Sequence, residues 1–214
     1  ITRIEKHAFR GCTELTKVTI PTGLKIIGEW AFSRCTSITH INIPDNVSRI
    51  EKYAFDDCAN LTKVTIQTGL KTIGEHAFSR CMSLTNVTIP NSVTSIGGCS
   101  FADCSSLTRI DIPNSVTMLG KYVFVGCSSL KSVTIPNSAI SIDVGAFENC
   151  SNLASVTIQN SATQIVHNSV GNHCANQVAS TKNNISIIGE NAFSNCTNLT
   201  SVNIPNKVTK IEKG

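Results

Sequence analysis

Ten cysteines are the residues of this chain most able to do chemistry, as nucleophiles, disulfide partners or metal ligands. Eight of them recur at multiples of 23 residues, at positions 12, 35, 58, 81, 104, 127, 150 and 196. No two cysteines have the Cys-x-x-Cys spacing typical of zinc sites. Because a free cysteine behaves as a small buried hydrophobe, the sequence predicts a reduced, buried cysteine column and no metal site. Disulfides between neighbouring repeats are the open alternative, since distance alone would allow them.

Other chemistry-bearing residues are scattered. Cys99 and Cys174 lie outside the cysteine column and are the better candidates for reactive thiols. His167 and His173 come close to Cys174 in sequence, but their spacing does not resemble a metal site. There is no Ser/His/Asp pattern and no phosphate-binding glycine loop. We therefore expect no enzymatic activity, no catalytic residues and no cofactor.

Phenylalanine shows the organisation that must position these residues. All eight phenylalanines lie on the same 23-residue step, and Val170 fills the one gap. The positions are Phe9, Phe32, Phe55, Phe78, Phe101, Phe124, Phe147 and Phe193. A fixed step of this length is typical of a solenoid. Since the length of 214 divided by 23 is about 9.3, we expect one domain over 1–214, with nine coils and no insertion.

Each repeat contains the same short elements. Leu107, Ile110 and Ile112 end in an apolar-polar alternation, which predicts a short strand with one buried face. Pro113 follows and ends the strand, because proline has no N–H to donate. The Ala-Phe-x-x-Cys segment is predicted to form a short helix or 3₁₀ turn. Stacking would bury a continuous core, and nine coils about 4.8 Å apart would make a rod about 43 Å long.

Two segments carry a resemblance to a known family. Ile73-Gly-Glu-His-Ala-Phe-Ser-Arg-Cys81 and Leu84-Thr-Asn-Val-Thr-Ile-Pro90 resemble the BspA-like (Treponema pallidum-type) leucine-rich repeats. The resemblance implies a curved α/β-type leucine-rich solenoid with short parallel strands on its concave face. It also implies a cell-surface or secreted protein used in adhesion. The pattern degenerates at residues 166–188, where Val170 and His173 replace Phe and Cys, and we expect a weak point there.

The strand face is the predicted ligand-binding surface, because side chains of successive coils form an array on it. Two outward columns supply the candidate residues. They are Lys17, His40, Lys63, Asn86 and Arg109 in the first column, and Thr19, Asn42, Thr65, Thr88 and Asp111 in the second. The first column is basic, which favours an anionic protein segment or a sulfated glycan. A merely solvated face, with threonines chosen for their β-propensity, is the alternative.

A second period of 46 residues appears in the N-terminal half. It places alternating charges at neighbouring positions of successive coils, in two columns. The columns are Lys6, Glu29, Lys52 and Glu75, and Arg34, Asp57, Arg80 and Asp103. We expect ion pairs between neighbouring coils, which would disfavour slippage by one coil; duplication of a two-coil unit would leave the same pattern without a role. Between these columns stand His7, Trp30, Tyr53, His76, Cys99 and Tyr122, which we interpret as a partly buried packing column.

Composition excludes several classes of protein. Hydrophobic residues make up 41% of the chain, which is too much for a disordered protein, and no apolar run could insert into a membrane. The net charge of +4 is too dispersed to indicate a nucleic-acid partner. Both ends fall inside a coil without a polar cap, as expected for a piece of a longer array. Two functions remain: a cell-surface or secreted recognition solenoid, and a cytoplasmic interaction scaffold or structural array.

Overall fold

The structure is a computed structural model. The structure describes residues 1–139, 141–159, 185–206 and 208–213. It contains sixteen short strands, numbered β1 to β16 in chain order, and all observed pairings between them are parallel. Each coil has three sides: a long strand, a short strand, and a segment of turns between the short strand and the next long one.

The long strands form a seven-stranded sheet. Its members are β3 (His40–Ile43), β5 (Lys63–Ile66), β7 (Asn86–Thr88), β9 (Arg109–Asp111), β11 (Ser132–Ile135), β13 (Ser155–Ile158) and β15 (Ser201–Asn203). Burial alternates along them as the sequence predicts: in β5, Val64 and Ile66 are buried while Lys63 and Thr65 are exposed. This side of each coil therefore presents every second side chain to solvent.

The short strands form two further sheets. One contains β1 (Arg3–Ile4), β2 (Ile26–Ile27), β4 (Arg49–Ile50), β6 (Thr72–Ile73), β8 (Ser95–Ile96) and β10 (Met118–Leu119). The other contains β12 (Ser141–Ile142), β14 (Ile187–Ile188) and β16 (Lys210–Ile211). Threonine and serine hydroxyls reinforce this side, as where Thr94 Oγ1 donates to the carbonyl of Lys71 one coil earlier.

The turn side is not helical, and the described residues contain no helix. In the third coil, Ala54, Asp56 and Cys58 each donate a backbone N–H to the carbonyl three residues earlier. The residues between them donate to the next coil instead, with Tyr53 N to Glu75 O at 2.9 Å and Phe55 N to Ala77 O at 2.8 Å. The expected turn bonds are therefore present, but the helix is not, because alternate N–H groups bond to the neighbouring coil.

Left-handed backbone produces this alternation. Two residues of each turn segment have positive φ, as with Tyr53 at 58° and Asp57 at 60°. A helix cannot continue through such residues, and they are uncommon outside glycine, asparagine and aspartate. Eight of the sixteen described positions with positive φ hold other residue types, so residue type marks the left-handed backbone in only part of the coils.

The core is made of stacked columns. Phenylalanine rings of neighbouring coils lie parallel, with centroids 5.1 to 5.7 Å apart. The column cysteines lie beside them, and each thiol from Cys35 onward donates to a phenylalanine carbonyl of the preceding coil, as from Cys58 Sγ to Phe32 O at 3.1 Å. Leucine, isoleucine and valine of the two strand sides fill the remainder.

The predicted count of nine coils without insertion is wrong. Strand β13 pairs directly with β15, and β12 with β14, although 46 residues separate each pair. Phe147 likewise stacks on Phe193 at 5.7 Å. Because β13 has β11 on one edge and β15 on the other, no further strand fits between β13 and β15. The phenylalanine column therefore spans eight coils. Most of the predicted degenerate repeat at 166–188 lies in 160–184, outside the described residues; Ile187 and Ile188 belong to the eighth coil.

Within the residues that the structure covers, no helix is long and apolar enough to cross a membrane.

Candidate ligand-binding face

The outward side chains of the seven-stranded sheet form two straight columns. Parallel pairing places His40 beside Lys63, Lys63 beside Asn86, and Asn86 beside Arg109. In the second column Asn42 lies beside Thr65, and Thr88 beside Asp111. All eight side chains are exposed. Stacking in register therefore brings these candidate residues onto one surface.

The two remaining candidates lie at the edge of this surface. Lys17 and Thr19 are exposed, but residues 15–20 form no strand, and the sheet begins at His40. The predicted columns therefore start one coil later than expected.

A groove of about 590 Å³ lies on this face, along β5 and its neighbours, and Lys63 is among its lining residues. Its polar lining consists of His40, Thr62, Lys63, Thr65, Gln67, Thr85, Asn86 and Thr88. Thr62, Thr85 and Gln67 are not among the residues predicted from the sequence. The two threonines donate to the carbonyls of Thr39 and Thr62, at 3.0 and 3.4 Å, so their hydroxyl oxygens face a ligand chiefly as acceptors. Their 23-residue spacing could have signalled a third column.

Charge on the face is concentrated at one residue. Arg109 donates from Nε and Nη2 to Asp111 Oδ1, at 3.1 and 3.0 Å, so its charge is largely compensated. His40 Nδ1 lies 3.0 Å from Thr39 Oγ1. Among the described residues, Lys63 forms no ion pair, and it is exposed in the groove. The predicted basic column is thus mainly a lysine flanked by hydrogen-bonding groups.

The described cysteines are all free thiols. Burial raises the pKa of Cys35 to about 11 and that of Cys81 well above its usual value. Thiols held neutral in this way are poor nucleophiles and poor metal ligands. Cys99 is half-buried, and burial raises its pKa as well. Cys12 is exposed, in contrast to the buried column predicted for it, and Cys174 lies outside the described residues.

In the part of the chain that the structure covers, no three histidine, cysteine, aspartate or glutamate side chains lie close enough together to hold a metal ion. His167 and His173 fall in 160–184, beyond that part.

The turn side presents the predicted packing and charge columns. His7, Trp30, Tyr53 and His76 stack with ring centroids 6.1, 3.9 and 4.4 Å apart. The expected ion pairs between coils are confirmed for Lys6 with Glu29, Lys52 with Glu75 and Arg34 with Asp57, at 2.8, 3.2 and 3.7 Å. Arg80 instead binds the buried Asp56, 2.9 Å away, a partner that charge alternation alone did not indicate.

Comparison with protein families identifies the repeat. Residues 1–108 and 117–214 match the model of the BspA type leucine rich repeat region, in six copies. The chain belongs to this family. A search of curated proteins found no match.

Several solved structures of leucine-rich repeat proteins share the fold of this chain. A leucine-rich repeat protein of T. pallidum is 26% identical with a TM-score of 0.66, over 93% of this chain and 72% of that one. One from Bacteroides ovatus is 22% identical with a TM-score of 0.57, over 99% and 66%. A leucine rich cell surface protein of Faecalibacterium prausnitzii is 25% identical with a TM-score of 0.53, over 100% and 69%.

Proposed function

We propose that this leucine-rich repeat chain is a non-enzymatic recognition module of the cell surface or of secreted proteins. It binds proteins or glycans through the strand face, at the groove around Lys63. The observation that carries the proposal is Lys63, which is exposed and has no ion-pair partner within the described ranges, in a groove of about 590 Å³ among aligned amide and hydroxyl groups. A lysine on a flat array of donors and acceptors fits an anionic, hydrogen-bonding partner.

The surface location rests on similarity. The family and the F. prausnitzii structure, whose protein is described as a cell surface protein, support it. A direct check is protease accessibility of the protein on intact source cells. Complete digestion without lysis supports a surface location, whereas protection until lysis would contradict it.

A cytoplasmic scaffold is the second candidate, favoured by the nine free thiols, since disulfides are rare in reducing compartments. Protection from protease on intact cells, together with full recovery in the soluble fraction, would favour this candidate.

Binding is tested with Lys63→Ser and two probes, heparin and an acidic peptide. A lost charge-assisted hydrogen bond of about 1.5 kcal/mol predicts roughly tenfold weaker binding and a shallower dependence of affinity on salt. Lys71→Ser is the matched control, because Lys71 is exposed but lies outside the groove. Equal affinities and equal salt dependence for Lys63→Ser and the wild-type chain would contradict an anionic ligand at this site.

A further inference from the structure

The turn side has an outward surface of three columns, which we call the turn face. In the third coil Ala54, Phe55 and Cys58 are buried, whereas Lys52, Tyr53 and Asp57 reach solvent. The same positions in the other coils supply the first charged column (Lys6, Glu29, Lys52, Glu75), the ring column (His7, Trp30, Tyr53, His76) and the second charged column (Arg34, Asp57, Arg80, Asp103). The turn face is separate from the strand face.

Rings in the ring column carry a conformational cost. His7, Trp30, Tyr53 and His76 all have φ between 53° and 62°, where a non-glycine residue costs about 1–2 kcal/mol. Stacking returns about 0.5–1.5 kcal/mol per pair, so stability alone does not strongly favour rings here. The last two coils place Gly145 and Asn191 at this position with the same backbone.

Ring stacking also limits what the turn face can bind. Trp30 and Tyr53 lie 3.9 Å apart with their planes 10° from parallel, so each covers a face of the other. Inner rings therefore offer edges to a ligand, and sugar rings cannot stack on them. Ring edges and tips such as the Tyr53 hydroxyl fit a flat protein surface with its own polar groups.

The charges on either side of the rings form a checkerboard. Across the ring column the signs are opposite in each of three successive coils. The pairs are Glu29 with Arg34, Lys52 with Asp57, and Glu75 with Arg80. Except for Asp57, at 30%, these side chains are between 39% and 59% exposed. Each of these three pairs is thus neutral, and the surface does not suit a partner of a single sign.

We propose that the turn face binds a second copy of this chain, side by side and with the coils running in the same direction. A two-fold axis along the rod brings the first charged column of one copy opposite the second charged column of the other. Glu29 then faces Arg34, and Lys52 faces Asp57, in both halves of the interface. Rings meet rings between the charges, and the strand face of each copy stays open.

The contact is small, so the dimer is weak. Four coils span only about 19 Å along the rod, which belongs with the smallest specific interfaces. In the dimer the ion pairs within each copy remain, including that of Arg80 with Asp56. Each facing carboxylate then gains a second cation, from the other copy. We expect micromolar or weaker dissociation constants that weaken further as salt screens the pairs.

Sedimentation equilibrium tests the proposal over a wide concentration range at low and high salt. The decisive variant carries Lys6→Glu, Glu29→Lys, Lys52→Glu and Glu75→Lys. It keeps the net charge and the alternation along its column but places like charges opposite each other in the parallel dimer. We expect at least tenfold weaker dimerisation, a change of about 1.4 kcal/mol. Adding Arg34→Asp and Asp57→Arg restores opposite signs in two coils and should recover part of the affinity.

A ring variant tests the same surface without changing charge. Trp30→Gly with Tyr53→Gly suits the left-handed backbone and should weaken the dimer at least tenfold, whereas Tyr122→Gly, at the same position two coils beyond the checkerboard, should not. Melting curves establish that each variant is folded. A wild-type chain that is monomeric at every concentration would overturn the proposal, as would a charge-swapped variant that dimerises like the wild type, since an antiparallel dimer would survive that swap.

Discussion

The turn side and the long-strand side join the same coils at the same 23-residue step, but with different backbones. On the strand side, Lys63 to Ile66 is extended and pairs in parallel with the coils before and after it. On the turn side, Tyr53 and Asp57 adopt left-handed conformations, and only alternate N–H groups reach the next coil. Two different backbone conformations therefore hold the same coil spacing, each through backbone hydrogen bonds from one coil to the next.

The largest expected effect comes from breaking the phenylalanine column under the turn side. Phe78→Ala should lower the free energy of unfolding by about 3–5 kcal/mol, because it leaves a cavity between two stacked rings. Val87→Ala, under the strand side, removes fewer atoms and should cost less. Urea unfolding measures both. Equal losses would show that the two sides contribute equally to cohesion.

A glycine at the entry to the turn side gives the next effect. A Cβ on Gly74 would lie 2.7 Å from the carbonyl carbon of Glu51 in the preceding coil. Gly74→Ala should therefore cost about 1–3 kcal/mol, as overpacking does. Gly23→Ala is the matched control, because a Cβ on Gly23 would meet only the carbonyl oxygen of Ile1, at an ordinary contact distance of 3.7 Å. Thermal melting should show little loss for the control, and a matching loss would refute a backbone clash.

Alkaline pH should remove the stability that the buried cysteines of the turn side contribute. Burial raises the pKa of Cys150 from 9.0 to about 12, so the neutral thiol favours the folded state. That contribution is complete below pH 9, and it is lost as the pH rises from 9 toward 12, because the unfolded thiol ionises first. At about pH 10 the loss reaches about 1 kcal/mol for one thiol. Cys150→Ala should show a smaller fall in urea stability from neutral to alkaline pH, whereas Val156→Ala, in a strand, should fall like the wild type.

Surface charge should have the smallest effect on folding. Lys52 and Glu75 are paired but exposed, and such pairs contribute about 0–1 kcal/mol. Lys52→Ser on the turn side and Lys63→Ser on the strand side should therefore both unfold within 1 kcal/mol of the wild type. Larger losses by chemical denaturation for Lys52→Ser would assign its column a structural role that the strand-face lysine lacks.

Sequence periodicity predicted the strand side better than the turn side, for a physical reason. A strand puts alternate residues in the core, so Val64 and Ile66 are visible as a pattern of two. The left-handed residues of the turn side include Trp30, Arg34 and Tyr53, whose types do not indicate that backbone. The resemblance to BspA-like repeats supplied the family before the structure did.

The candidate site shows the same division. The 23-residue period correctly predicted that Lys63, Asn86 and Thr65 share one surface, because equivalent residues of successive coils pair in register. Compensation of Arg109 by Asp111 depends on side-chain conformation and could not be read from spacing. The predicted number of coils was wrong because a separation of 46 residues between matching positions fits the 23-residue period whether or not the intervening residues form a coil.

That step has a consequence for how such arrays change over time. The edge of β13 accepts β15 as readily as β11 accepts β13, since every edge presents the same row of N–H and C=O groups. Pairing therefore depends on the backbone geometry of the neighbouring strand and not on the number of residues that connect the two strands. Whole repeats can be gained, lost or recruited to other tasks at any junction, while the surfaces on either side stay intact.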